Sequence, residues 1–231
     1  ERVTLVGVLG IDQMLFAQGY KAFYLAIGCQ GGRTAGVPGE DAAGIQTAVA
    51  LLRTVGGDES HKMTGKTVVI GGGNVAIDAA RVALRCGSSD VTMVCLEPRE
   101  KMPASAEEIA EAEEEGTAIR CGYGPKEFLT KDGHVCGVVL KRCTGLYDAE
   151  GRFAPTYDES VTITLPCDNV VLSIGQCIQW GNLLDGEAVQ LGRGQGAVAD
   201  AMTYQTAQSD IFVGGDVYTG PPDVKIGAKN F

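Results

Sequence analysis

The chain of 231 residues is long enough for one large or two modest domains, and its 45% apolar and 21% charged residues support a packed core rather than disorder. A formal net charge of −10 excludes the basic surfaces that nucleic acid and anionic membranes require. No apolar run approaches the roughly 20 residues of a membrane span, and the start on Glu1 instead of a methionine predicts an excised piece of something longer.

Eight cysteines, at 29, 86, 95, 121, 136, 143, 167 and 177, include no CxxC pair, and His61 and His134 lie near no cysteine pair. Zinc spacing and a dithiol redox motif are therefore both missing, and no metal site is predicted. Cys95, inside the apolar run Val91–Leu96, typifies small buried hydrophobes in a reducing cytoplasm.

In chain order, residues 22–27 form a short apolar strand closing at Gly28, and the glycine-rich stretch 30–39 reads as a connection. A helix is expected over 42–55, with Ile45, Ala48, Leu51, Leu52 and Val55 on one stripe and Gly56-Gly57 ending it. A buried strand (66–70), a glycine turn, a helix (about 74–86) stopped by Gly87 and a second strand (91–96) follow. After the loop Pro98–Ala104, Ser105 and Glu108 form a capping box for a short helix ending at Gly116. Its glutamates wrap around the helix, so they read as a solvated face and not as a cation site. From 117 to 173 the pattern is β, with Val135–Leu140 and Val161–Leu165 separated by 131–133 and by the polar stretch 147–160, which predicts a β-meander. Val170–Gly175 repeats the apolar-strand-into-glycine pattern, and Ile211–Val213 runs into Gly214-Gly215-Asp216.

Gly71-Gly72-Gly73-Asn74-Val75-Ala76 fits G-x-G-x-x-A in the context that gives the motif meaning: a strand before it, a helix after it, and a second strand closing the unit. Gly71 permits the tight turn, Gly73 lets a pyrophosphate approach the backbone, and Ala76 lets the helix pack closely on the strand. The phosphates would then meet the positive end of the helix. Glu97, at the end of the second strand, can accept hydrogen bonds from the adenosine ribose and would repel a 2′-phosphate. Arg99, two residues on, is able to pair a phosphate, and Lys101 is close by. NAD(H) is favoured over NADP(H). Gly192–Ala197 fits the same pattern, but neither a long enough helix nor a second strand follows it, so it is read as a turn. Asp78 and Arg81, at i,i+3 on the first helix, suggest a surface pair without a catalytic role.

These residues resemble the two-dinucleotide-domain flavoproteins typified by the small (beta) subunit of bacterial glutamate synthase. The likeness is carried by Gly19-Tyr20, Phe23–Gly28, Val37-Pro38-Gly39-Glu40-Asp41, Gly71–Asp78 with Arg81, Met102-Pro103-Ala104, Ile174-Gly175-Gln176, Val213–Val217 and Gly220-Pro221. The resemblance implies an α/β fold: a Rossmann-like dinucleotide-binding domain with a central parallel sheet and β-meander, plus partial FAD-domain segments. It implies FAD-domain segments at 1–31 and 174–231 flanking an NAD(P)H-binding domain at 32–173. It places Gly175 among the cofactor-binding residues, Asp216 on the ribityl chain of FAD, and a helix from Pro221-Pro222 with its start toward the flavin ring.

The resemblance also implies an oxidoreductase that passes hydride from NAD(P)H to FAD. Electrons would go on to iron–sulfur centres, in an iron–sulfur domain or a partner like the glutamate synthase large subunit. Such transfer needs positioning more than an acid or base, which agrees with the lack of any catalytic constellation. The family's N-terminal FAD fingerprint and cysteine-rich iron–sulfur segments are missing, and the last helix stops at Phe231. This predicts a fragment, inactive by itself and without tightly bound FAD, whose flavin partner is the remainder of the parent chain. Many NADPH-using members carry paired arginines where this chain has Leu96-Glu97, which supports the NAD(H) preference. The alternative is a stand-alone NAD(H)-binding or sensing module without catalysis, which would have no need of flavin-type flanks. A thioredoxin-reductase-like activity is opposed by the lack of a redox dithiol near residues 100–125.

Overall fold

Lys66–Ile70 is exposed at its first residue only, as expected of a strand covered on both faces. The computed structural model describes residues 19–220, so the helix expected from Pro221-Pro222 lies outside the described residues. Two units divide the chain, one of them Gly32–Gly175 and the other made of the segments on either side. The first contains β1 (Ile45–Thr47), α1 (Ala48–Gly57), β2 (Lys66–Ile70), α2 (Asn74–Arg85), β3 (Asp90–Cys95), α3 (Ala106–Glu114), β4 (Ala118–Cys121), β5 (Tyr123–Lys131), β6 (His134–Tyr147), β7 (Phe153–Pro166) and β8 (Asn169–Leu172).

The central sheet has the order β1-β8-β2-β3-β4 and every pairing in it is parallel. β5, β6 and β7 form an antiparallel meander. Alternation along the strands divides the core in two. Val69, Met93 and Val171 pack with Leu51, Ile77, Ala80 and Ile109 of the three helices. Val68, Ile70, Val94, Val170 and Leu172 pack with Phe128, Val138 and Leu140 of the meander. This arrangement is the mixed α/β architecture with a parallel sheet that the resemblance implied.

Two boundaries differ from expectation. The stripe from Ile45 does not make one helix over 42–55. Gly44 sits at φ +89, where a Cβ would stand 2.7 Å from the Asp168 carbonyl oxygen. Ile45 then pairs with Val170, and the helix starts only after Thr47, whose Oγ1 accepts the Ala50 N–H at 3.3 Å. The polar stretch 147–160 is mostly strand, because β6 and β7 run 14 residues each and only 148–152 turns between them. Asp148 Oδ1 closes that turn by accepting the N–H groups of Glu150 and Arg152 at 3.0 and 2.8 Å. At the tip both faces are wet, so no alternation marks the strands. Tyr147 and Phe153, 59% and 61% exposed, meet edge to face there.

The acidic helix α3 is also more than a solvated face. Arg81 does not pair with Asp78; its Nε and Nη2 reach Glu115 Oε1 at 2.9 and 2.5 Å, and its Nη1 reaches Glu111 Oε2 at 2.7 Å. Arg85 joins Glu115 at 2.8 Å. The Arg81 guanidinium, helped by Arg85, holds the Glu115 carboxyl below its ordinary 4.5. A depressed carboxylate pKa contributes stability that is present above the unfolded value and lost as pH falls through the folded one. Glu115→Gln is therefore expected to lower Tm by about 2 °C at pH 7 and to flatten the acid limb below pH ~4.5. Circular-dichroism melts across that range that superimpose on wild type would show the pair to be idle.

In the other unit, the strand Phe23–Leu25 lies parallel to Ile211–Val213, over a core of Leu25, Ala197, Ile211 and Val213. Gly192–Ala197 is a turn, as read: Gly192 N–H donates to the Gly196 carbonyl at 2.7 Å and Trp180 Nε1–H to the Gln195 carbonyl at 2.8 Å.

Candidate functional site

In the central sheet the chain proceeds from β2 to β3 to β4 on one side, while β8 and β1 lie on the other. The crevice of such a sheet opens at the carboxyl ends of the strands where the order reverses, here between β2 and β8. Gly71–Gly73 stands at that point. The Gly71 N–H donates to the Val94 carbonyl at 2.8 Å and the Ser173 N–H to the Ile70 carbonyl at 2.7 Å, which fixes both strand ends. Gly71 has φ +149, and a Cβ there would overlap the Ser173 carbonyl oxygen.

At Gly73 a Cβ would meet nothing within 4 Å, so the start of α2 is open to a ligand. Ala76 and Ile77 donate to the Gly73 carbonyl at 2.9 and 3.2 Å, which leaves the amides of Asn74 and Val75 without a backbone acceptor. Ala76 is fully buried and lets α2 approach the sheet; Val75 is 36% exposed. The residues present thus fit a dinucleotide pyrophosphate at the helix start.

Gly72 has a reason that no sequence pattern showed. A Cβ there would stand 2.8 Å from Cys95 Cβ and 3.0 Å from Glu97 Oε2, so the end of β3 and the Glu97 carboxylate lie directly against the turn. The Glu97 backbone is held in turn, because its carbonyl accepts the Gly122 N–H at 3.2 Å. The loop 102–105 braces the other side: the Gly72 carbonyl accepts the Ala104 N–H at 3.1 Å, and Asn74 Oδ1 accepts the Ser105 N–H at 3.1 Å. Asn74 therefore takes the place of the return arm of the expected capping box. Ser105 Oγ still accepts the Glu108 N–H at 3.2 Å, while Glu108 Oε2 is buried without a hydrogen-bond partner. Met102-Pro103-Ala104 was visible only as a family likeness, and its bracing role carried no signal of its own.

Arg99 does not lie free beside Glu97, since its Nη2 is paired with Glu113 Oε2 of α3 at 2.5 Å. Beneath the turn, Cys95 Sγ is 3.7 Å from Cys121 Sγ, which is 3.9 Å from Met102 Sδ. Burial first, then Cys121 and Glu97, push the Cys95 thiol up, as befits an unreactive core cysteine. Cys136 departs from the buried-cysteine expectation and is exposed, and Cys121, Cys143 and Cys177 are half-buried. Among the described residues no three His, Cys, Asp or Glu side chains converge as metal ligands.

A cleft of 370 Å³ lies at the carboxyl ends of β1 and β8, lined by residues that include Thr34, Glu40, Asp41, Thr47 and Leu172. Glu40 shapes its rim by accepting the N–H groups of Ala35 and Gly36 at 2.7 Å each. A cleft of 300 Å³, lined by Lys66, Asp90 and Arg120 among others, sits at the opposite, amino ends of the strands, away from the glycine turn. Gly175 has φ +110 and its carbonyl accepts the Arg33 N–H at 3.0 Å. Asp216 opens the short helix Asp216–Thr219 after Gly215 at φ +62. Its Oδ2 comes within 3.9 Å of where a Cβ would stand on Gly28, itself at φ +65.

Residues 10–229 match the pyridine nucleotide-disulphide oxidoreductase family. The chain belongs to that family. The curated relatives include the NADP(+)-dependent formate dehydrogenase subunit beta of Moorella thermoacetica, 35% identical over 94% of this chain and 31% of its own length. The glutamate synthase [NADPH] small chain of Halomonas elongata is 30% identical over 87% of this chain and 45% of its own length. This chain therefore spans less than half of either relative. FprA of Mycobacterium tuberculosis, solved in complex with NADPH, shares the fold with a TM-score of 0.69 at 21% identity, over 93% of this chain and 62% of that one. The family is one of flavin-dependent pyridine-nucleotide oxidoreductases, with glutamate synthase small-chain relatives among its members. Among the described residues no helix is long and apolar enough to cross a membrane.

Proposed function

We propose that residues 32–173 receive NAD(H), and that residues 1–31 and 174–231 belong to the flavin side of an oxidoreductase like the glutamate synthase small subunit. The supporting observation is the glycine turn at the switch point, open at Gly73 and faced by the Glu97 carboxylate. Gly71 sets the turn, Gly73 and the amides of Asn74 and Val75 take the pyrophosphate, Ala76 keeps α2 close, and Glu97 binds the adenosine ribose. In the intact parent, FAD would supply the acceptor for the nicotinamide hydride, and electrons would go on to iron–sulfur centres or a partner subunit. Asp216 would accept hydrogen bonds from the ribityl hydroxyls of FAD, and Gly175 would be a cofactor-binding residue of its own unit. No side-chain acid or base is required, because this chain's task is to hold the dinucleotide in position.

The relatives named above are described as NADP(+)- or NADPH-linked; the carboxylate against Gly72 is the reason to assign NAD(H) to this chain. The direct test is equilibrium titration of NADH against wild type and Gly73→Leu. The new side chain starts from a Cβ with nothing within 4 Å in the free protein, and the fold is expected to stay intact by circular dichroism. It would occupy the pyrophosphate's place, and affinity is expected to fall about a hundredfold, equivalent to about 2.7 kcal/mol. NADH binding by Gly73→Leu at wild-type strength would overturn the assignment.

A further inference from the structure

We propose that Glu113 is a cofactor-selecting residue: by holding Arg99, it removes the guanidinium that would otherwise receive a 2′-phosphate beside Glu97. The inference rests on the dinucleotide reading above. Among the described residues three arginines reach α3 or its C-cap residue Glu115, and each is claimed there: Arg81 by Glu111 and Glu115, Arg85 by Glu115, and Arg99 by Glu113. The first two lie on α2. Arg99 instead lies in the single turn Arg99–Lys101 that follows β3, two residues from the carboxylate that faces Gly72. A guanidinium matches a phosphate with two parallel N–H bonds, which makes Arg99 the natural 2′-phosphate ligand on this segment.

Its pairing with Glu113 changes the balance at the adenosine end in two ways. A ligand phosphate must displace a carboxylate already seated on the guanidinium, and it must approach a second negative charge besides Glu97. The Arg99 and Glu113 side chains are 45% and 43% exposed, so the pair is accessible to a competing anion. Lys101, exposed in the same turn, is the other cation within this segment. An ammonium is a compact point charge without the planar fork, and it is the weaker candidate.

The test is calorimetric binding of 2′,5′-ADP and 5′-AMP, which differ by the 2′-phosphate alone. Exposed ion pairs are worth up to about 1 kcal/mol, or about fivefold in affinity. Glu113→Gln is expected to tighten 2′,5′-ADP about fivefold and to leave 5′-AMP within about twofold. The gain is expected to shrink as salt is raised. Arg99→Ala combined with Glu113→Gln is expected to abolish it. Unchanged relative affinity in Glu113→Gln, or a gain that survives in the double variant, would overturn the proposal; in the second case Lys101 is the receiver. Binding of both nucleotides with an unmoved ratio removes only the role of Glu113. Failure of both nucleotides to bind any of these proteins removes the dinucleotide reading, and this inference with it.

Discussion

Gly71→Ala is expected to destabilise the protein by about 3 kcal/mol or more, the largest loss from any single added methyl group on the glycine turn. Two costs combine. At φ +149 an L side chain is strained by about 1–3 kcal/mol. The new Cβ would also overlap the Ser173 carbonyl oxygen, which lies on backbone and cannot rotate away. Ser173 follows β8 directly and its N–H is bonded to the Ile70 carbonyl. Relief of the clash therefore means separating the ends of β2 and β8, between Val69 and Val171 on one face and Ile70 and Leu172 on the other, all buried. Overpacking of a close-packed site adds about 1–3 kcal/mol. In a chain of this size a loss of about 3 kcal/mol corresponds to a Tm lowered by roughly 6–12 °C. Gly73→Ala is the matched control, because its Cβ meets nothing within 4 Å and φ there is −92; its urea midpoint should coincide with wild type. Equal midpoints for Gly71→Ala and wild type would show that the strand ends are not held as described.

Sequence reasoning located the central unit because the code there is local. Lys66–Ile70, the glycine turn and Asn74–Arg85 are set by burial on both faces of a strand, by backbone freedom and by 3.6-residue periodicity, all visible in a short window. It went wrong at Ile45 because the deciding contact, between Gly44 and the Asp168 carbonyl, joins residues far apart in the chain. It missed the length of β6 and β7 for a different reason. At Tyr147 and Phe153 neither face is buried, so hydrophobic alternation has nothing to report.

The site divides the same way. The tight turn at Gly71 and the close packing at Ala76 follow from backbone geometry and were legible. Gly72, the Met102–Ser105 brace and the Arg99–Glu113 pair depend on which side chains the fold brings to the turn from other elements. The glutamates of α3 show the limit most clearly. Their wrapping around the helix reads as a solvated face. It carried no sign that three of them lie opposite Arg81, Arg85 and Arg99, since that register is a property of how α3 packs.

Glu97→Arg is expected to move the NADPH-to-NADH affinity ratio by about a hundredfold or more toward NADPH. Wild type places a carboxylate oxygen 3.0 Å from where a Gly72 Cβ would stand. At that position a carboxylate accepts hydrogen bonds from ribose hydroxyls, and hydrogen bonds to a charged group contribute about 1.5–3 kcal/mol each. On the proposed reading the substitution would remove them, weakening NADH, and would remove the repulsion between Glu97 and a 2′-phosphate. The introduced guanidinium adds charge-assisted bonds to that phosphate. The two losses and the gain act on different cofactors, so their effects multiply in the ratio: about 2.7 kcal/mol already amounts to a hundredfold. Fluorescence titration of both cofactors against both proteins measures the ratio directly. Raising the salt concentration separates its parts, because screening weakens the phosphate attraction and leaves the ribose contacts less affected. Wild-type preference for NADPH, or an unchanged ratio in Glu97→Arg, would mean that the carboxylate beside Gly72 faces the turn without reading the cofactor. The Arg99–Glu113 pair would then have nothing to reinforce.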